Sequence, residues 1–234
     1  MKTQLIMAAL PFVMTHGCVF GIEGSGKVTS EDRKVETFTG INLECHANVY
    51  FTQGDVQSVK VEAEDNIIAH ITTEVKNMKL VIDTDGKDFD SHQPINVYVT
   101  VKELCLLEVE GSGKMIGKSH INCDNMTFSV AGSGDIYADV RSLTMKVSIS
   151  GSGSLDLGGT STSMDIKIAG SGKVSAKNLQ AINTTVSITG SGSSTINTKE
   201  ELNVTITGSG DVNYVGEPSK LHTNITGSGS VSKI

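Results

Sequence analysis

Apolar and polar residues alternate along most of this chain with a period of two. Counting back two, four and six residues from Gly151 gives Ile149, Val147 and Met145. The same count from Gly170 gives Ile168, Ile166 and Met164, from Gly190 it gives Ile188, Val186 and Thr184, and from Gly208 it gives Ile206, Val204 and Leu202. Ser, Lys, Asp, Asn and Thr fill the positions between. Strict alternation of this kind places every second side chain on one buried face of an extended strand. A shorter alternating piece follows each glycine-rich step: Ile136 and Ala138, Leu155 and Leu157, Val174 and Ala176, Val212 and Tyr214.

The glycine-rich step is itself periodic. Gly-Ser-Gly begins at residues 111, 132, 151, 170, 190, 208 and 227, at intervals of 21, 19, 19, 20, 18 and 19 residues. Each unit reads as strand, tight corner, short strand and loop. A unit this short cannot bury its apolar face alone, but stacked on copies of itself it can. At ~3.3 Å per residue one coil has a perimeter of roughly 60 Å, enough for a flattened or triangular tube. The predicted fold is therefore all-β, a single-stranded parallel β-helix with coils of about 19 residues and Gly-Ser-Gly corners. Equivalent residues should stack in ladders, Ile149 on Ile168, Ile188, Ile206 and Ile225. The corner serines Ser112, Ser133, Ser152, Ser171, Ser191, Ser209 and Ser228 should line up too, as a ladder of hydroxyls each donating to the next. A string of β-hairpins fits less well, because hairpins do not require a near-constant coil length.

Residues 30–110 lack the tripeptide but still alternate. Ile41-Leu43-Cys45-Ala47-Val49-Phe51 reads as one strand, as do Val59-Val61, Leu80-Ile82 and Val97-Val99-Val101, with turns at 53–55 and 85–87. This region is expected to form irregular first coils that cap the tube, since a raw solenoid end is an open edge, and residues 111–234 form the regular coils. Upstream, Lys2 and the apolar run Leu5–Met14 have the form of an export signal over residues 1–17, too short to span a bilayer. Gly17-Cys18 follows in the position of a lipoprotein cleavage box, which makes Cys18 the expected lipid attachment point and residues 18–29 a linker. With Cys18 set aside, Cys45, Cys105 and Cys123 leave an odd count; one disulfide among them stays open. Cys45 keeps step with its apolar neighbours and reads as a small core residue.

Composition narrows the function. There are 25 Gly, 3 Pro, no Trp and 4% aromatic residues, and the net charge is -7 with arginine only at 33 and 141. A nucleic-acid partner needs a basic stripe to displace phosphate counterions, and none exists.

Three stretches carry a family resemblance: GSGKVTSEDRKVETFTGINLECHANVYFTQGD at 24–55, VKVEAEDNIIAHITTEVKNMKLVI at 59–82, and the recurrent Gly-Ser-Gly coils. Together, over residues 24–234, they resemble the bacterial head GIN domain family, described as auto-transporter adhesins. The resemblance implies an envelope protein with a right-handed β-helical fold and brings no catalytic motif with it.

Candidate chemistry is sparse. Gly21–Lys27 reads G-I-E-G-S-G-K, the first seven positions of a phosphate-binding loop, but Val28 stands where Ser or Thr would ligate Mg²⁺. The acidic loop 83–90 lacks the glutamate and spacing of an EF-hand and reads as a solvated turn. Asp139 and Arg141 read as a surface pair, and the six histidines follow no pattern. No catalytic, cofactor-binding or metal-binding residue is assigned, and no cofactor is expected. What remains is a polar Ser/Thr/Asn-rich surface, suited to hydrogen-bonding a glycan or a protein, or simply to keeping the tube soluble. The sequence thus points to a non-enzymatic adhesin or ligand-recognition module, exported to the cell envelope and held to the outer membrane only through an N-terminal lipid. The alternatives are an envelope assembly protein that binds through a solenoid end, as in an end-to-end homodimer, and more distantly a carbohydrate-active enzyme.

Overall fold

The computed structural model describes residues 21–234; the expected export signal and Cys18 lie outside the described residues. The chain winds into a parallel β-solenoid whose coils each contribute one strand to a first wall and one to a second. On the first wall, Gly40–Leu43, Leu106–Gly111 and Asn125–Gly132 lie side by side in parallel. On the second wall the neighbours are Asn48–Gln53 and Lys114–Asn122. The long strands Asp135–Gly151, Ser154–Gly170, Lys173–Gly190 and Ser193–Gly208 then serve both walls, the first part of each on the second wall and the last part on the first. Lys220–Gly227 and Ser230–Lys233 close the series.

The stacking follows the sequence period. Ile149 sits in register with Ile168, Ile188, Ile206 and Ile225. Met145, Val147, Ile149, Ile166 and Ile188 are buried, while the alternating partners Lys146, Ser148 and Asp165 lie outward. Coils of unequal length stay aligned because the register slips near Gly158 and between Ala176 and Gln180, so the extra residues bulge out and the walls keep step.

The two glycines of a corner do different work. Gly170 has φ +116°, and a Cβ there would lie 2.5 Å from the Gly151 carbonyl oxygen. Gly172 is barred by space: its Cβ would meet Ile149 Cγ2 at 2.5 Å. One position needs a left-handed backbone and the other needs the absence of a side chain.

The first coil departs from the sequence reading. Residues 41–51 are two strands, not one, broken between Leu43 and Asn48. Leu43 pairs with Val109 and Asn48 with Lys114, so Cys45-His46-Ala47 occupies the place of Gly111-Ser112-Gly113 and is itself a corner. The apolar alternation runs through it unbroken because Cys45 and Ala47 still point inward and are buried.

Ahead of this coil both walls continue into an end that is not a solenoid. On the second wall Asn96–Val101 is parallel to Asn48–Gln53, Ser58–Glu64 is antiparallel to that, and Val28–Arg33 is antiparallel again. On the first wall Lys79–Thr84 is parallel to Gly40–Leu43 and forms a hairpin with Ile71–Lys76. The turn between the hairpin strands holds Asn77 and Met78 at positive φ. Ile67, Ile68 and Ile71 are buried here, and Arg33 Nη2 donates to the Ile68 carbonyl at 2.8 Å.

The disulfide left open by the sequence joins Cys105 to Cys123, 18 residues apart and therefore one coil apart. Cys45 is a free buried thiol whose pKa burial pushes up to about 12.

Candidate functional site

The phosphate-loop motif is occupied by the protein's own carboxylates. The Gly26 amide donates to Glu64 Oε1 at 2.6 Å, and Ser25 Oγ donates to Asp65 Oδ1 at 2.6 Å. Lys27 Nζ lies 3.4 Å from Asp65. The Ser25 hydroxyl, followed by Lys27, holds the Asp65 carboxyl below its usual range. Glu64 is 1% exposed and also accepts from the His92 amide. This glycine segment is not a coil corner. It clamps residues 21–27 onto the sealed end by cradling an internal carboxylate where a nucleotide loop would cradle phosphate.

In the acidic loop, Asp85 accepts from His70 Nδ1 at 2.8 Å and pairs with Lys87 at 3.3 Å. Those contacts, the His70 hydrogen bond foremost, lower the Asp85 pKa. Asp139 pairs with His120 at 3.3 Å. No ion pair between Asp139 and Arg141 is found among the described residues, which corrects the surface pair read from their proximity in sequence. The physical reason is register: His120 stands opposite Asp139 on the neighbouring strand. Glu44 and Glu110 lie at one outward level of the first wall, and Asn42 Nδ2 donates to both, at 2.7 and 3.3 Å. Partial burial, then Glu110 and Asp83, raise the Glu44 pKa. No group of three metal-ligating side chains placed to hold an ion is found among the described residues.

The serine column at the corners is tied together by main chain. Ser133 N donates to Gly111 O at 2.8 Å, Ser152 N to Gly132 O at 2.8 Å and Ser171 N to Gly151 O at 2.8 Å. Ser191, Ser209 and Ser228 continue the series at 2.9 Å each. The hydroxyls are exposed, and among the described residues none bonds to the next; Ser112 Oγ instead meets His46 Nδ1 at 3.3 Å. A buried hydroxyl pair does form on the opposite turn edge, where Ser142 Oγ donates to Ser161 Oγ at 3.1 Å. Beside it lies a groove of about 780 Å³ lined by Glu103, the disulfide, Asn122, Asp124, Arg141 and Leu143.

The most distinctive surface was not visible from periodicity. Tyr98, Tyr50, Ile116 and Tyr137 stand in register on four neighbouring strands of the second wall, all outward. Three of the four tyrosines in the chain thus share one row. Tyr98 is 39% exposed and Tyr137 40%. The Tyr50 and Tyr98 rings stack with centroids 5.3 Å apart, and Lys118 Nζ lies 4.6 Å from the Tyr50 ring centre. The register irregularity between Ile116 and His120 is the segment that carries Lys118. Along one side of the row run Asn96, Asn48, Lys114 and Asp135, with Asn48 Nδ2 donating to Asn96 Oδ1 at 3.1 Å and Lys114 pairing with Asp135 at 3.5 Å. Further along the same row, Asp156, Ser175, Thr195 and Asn213 replace the aromatics.

Residues 37–218 match the profile of the family described as "putative auto-transporter adhesin, head GIN domain". Among solved structures, one described as a putative adhesin from Bacteroides fragilis superposes with a TM-score of 0.85 at 26% identity, covering 92% of this chain and 100% of that one. A protein from Parabacteroides distasonis described as a putative lipid binding protein superposes at 0.76 with 24% identity, covering 91% and 99%. One described as a putative adhesin from Parabacteroides merdae superposes at 0.74 with 19% identity, covering 91% and 98%. No curated protein matches this sequence.

Proposed function

The chain belongs to the head GIN domain family, and on that footing we propose that it is a non-enzymatic recognition protein of the cell envelope, an adhesin that meets its ligand on the tyrosine row of the second wall. The family description and the adhesin descriptions of two structural neighbours support the class. The observation that carries the reading is the aromatic row itself. Aromatic residues are scarce in this chain, and three tyrosines are spent on a solvent-facing row of a rigid wall. Exposed aromatics with a polar rim are the usual composition of recognition surfaces. Every strand that carries the row is paired on both sides, so the surface is preorganised and loses little freedom on binding. Export, with lipid on Cys18, is part of the proposal; the Cys105–Cys123 disulfide suits an oxidising compartment. Protease treatment of intact cells, read out with an antibody to the C-terminal coils, tests it. Loss of the protein from unbroken cells is expected. Degradation only after the outer membrane is opened would end the adhesin reading.

A second reading, docking of another protein or of a second copy through a solenoid end, is favoured by the last coil. Leu221 is 43% exposed, Ile225 39% and Ile234 60%, although Leu202 and Ile206 beneath them are fully buried. Sedimentation of the wild type against Ile234→Asp decides it: a concentration-dependent dimer lost in the variant supports end docking, and a wild-type monomer removes it.

A further inference from the structure

We propose that the last coil docks a second copy of this chain, Lys220–Gly227 pairing antiparallel with its own equivalent about a two-fold axis at Thr223; this rests on the end-docking reading above and names its partner and register.

The argument begins with the main chain. Ser193–Gly208 is covered on one side by Lys173–Gly190 and on the other by Asp211–Val215 and Lys220–Gly227. Lys220–Gly227 has no strand on its far side among the described residues. The direction of its free groups follows from earlier coils of the same wall. Thr127 N donates to Cys105 O and Thr144 N to Asp124 O, each reaching back to the preceding coil. Residues with outward side chains therefore turn their main chain backward, and the alternating inward ones turn theirs forward. In the last coil the inward set is Leu221, Thr223 and Ile225, stacked on Leu202, Val204 and Ile206. Their N–H and C=O groups thus point at solvent, beside side chains that are themselves exposed. Unpaired main chain and an uncovered apolar ladder coincide at one edge, with no proline in Lys220–Gly227 and no charged residue between Lys220 and Gly227 to blunt it.

The edge is complementary to itself. An antiparallel pair centred on Thr223 sets Leu221 against the partner's Ile225, and Thr223 against the partner's Thr223. The free N–H and C=O groups of all three residues then exchange hydrogen bonds across the axis. On the outward face His222 meets the partner's Asn224, and Lys220 meets the partner's Thr226. Moving the axis to His222 sets two histidines opposite each other and leaves Ile225 without an apolar partner. Moving it to Asn224 sets Leu221 against glycine. Only the Thr223 register matches both apolar side chains.

Charge permits the approach. The two lysines of the coil are matched within their own chain, Lys220 with Glu201 at 3.9 Å and Lys233 with Glu217 at 2.9 Å. The opposite end of the molecule is a poor partner. Its edge strand Val28–Arg33 carries Glu31, Asp32 and Arg33 in succession, and Ile67, Ile68 and Ile71 are already covered. Association therefore closes at two copies joined by like ends instead of growing head to tail.

The test is sedimentation of the full chain over a range of concentrations. The wild type should show a monomer–dimer equilibrium. Leu221→Asp should weaken it by at least about a hundredfold, because a two-fold contact carries each change twice. Thr223→Pro removes an N–H that only the second copy would accept, and should also leave a monomer. Melting temperatures, taken at dilutions where the wild type is monomeric, should be unchanged in both. Register is read by mixing His222→Cys chains with Asn224→Cys chains under mild oxidation. These positions face each other in a non-hydrogen-bonded pair, with Cα atoms about 4.5 Å apart and within disulfide reach. A cross-linked dimer is expected in the mixture, well above either variant alone. A wild-type monomer at every concentration overturns this proposal and the end-docking reading together. A dimer that Ile234→Asp breaks but Thr223→Pro does not, with the mixed cysteines unlinked, overturns the strand pairing and leaves end docking standing. A dimer indifferent to all three substitutions lies elsewhere on the molecule and overturns the site.

Discussion

The regular coils and the sealed N-terminal end build the same two walls by different rules. Coils after residue 111 repeat one solution: inward Ile, Val, Leu or Met in ladders, and a corner that only glycine fits. The N-terminal end uses antiparallel strands, a hairpin, a buried isoleucine cluster and a corner made of Cys45, His46 and Ala47. Crowding explains the corner. The corner glycines lie beneath the carbonyl of the preceding coil's corner, as at Gly132, where an added Cβ would come 2.6 Å from Gly111 O. Gly111 has open space above Cys45, where the nearest atom to an added Cβ is Glu44 O at 3.8 Å. Repetition imposes the glycine rule, and the coil with no equivalent corner stacked before it escapes it. The ends differ in the same sense. Ile67, Ile68 and Ile71 are shielded by antiparallel strands, while the inward ladder of the last coil stays exposed.

Substitutions test this contrast between the regular coils and the sealed end. The largest effect is expected within the regular coils. Val147→Asp puts an unpaired charge between two walls and should cost several kcal/mol, about 3–5, whereas Lys146→Asp beside it should stay within about 0.5 kcal/mol. Equal melting shifts would undo the inward–outward assignment. Next come the two ends. Ile68→Ala empties a packed site and is expected to cost about 2–4 kcal/mol in urea unfolding, against well under 1 for Ile225→Ala, which is already part-exposed. Similar values at both ends would mean that the last coil is covered in solution. The corners follow. Gly170→Ala forces a positive φ and a close approach and should cost about 1–3 kcal/mol, while Cys45→Ala at the equivalent corner should cost less than about 1. A large loss at Cys45 would show that the first corner is as constrained as the rest.

The smallest effect is electrostatic. Glu44 has a raised pKa because of partial burial, Glu110 and Asp83. A carboxyl whose folded pKa is raised is a burden when ionised, so the penalty is in force at neutral pH. It is relieved as pH falls through the raised value toward the ordinary range. Glu44→Gln should therefore stabilise the fold slightly at pH 7, by no more than about 0.5 kcal/mol after solvent screening, read as a small rise in melting temperature, and the difference should vanish in mild acid. A gain that persists or grows in acid would contradict that cause.

Much of the solenoid was legible because its information is local and repeated. Met145, Val147 and Ile149 announce their face by alternation, and seven Gly-Ser-Gly steps give the coil length. The first corner was not legible, since Cys45 and Ala47 preserve the alternation through the bend and mimic a continuous strand. The hydroxyl pair sits at Ser142 and Ser161, on the edge where no motif marks the turn. The tyrosine row was invisible for a different reason. Tyr98, Tyr50 and Tyr137 come from segments with no common repeat, and the row exists only because Asn96–Val101 returns from the cap to lie beside Asn48–Gln53.

Strand faces, coil period and the need for glycine at repeated corners are written into the chain locally, since each depends on residues a few positions apart and on a spacing that recurs. How the first coil is sealed, which cysteines pair and which outward residues become neighbours emerge on folding. Those depend on contacts between segments far apart in the chain, and no local period encodes them.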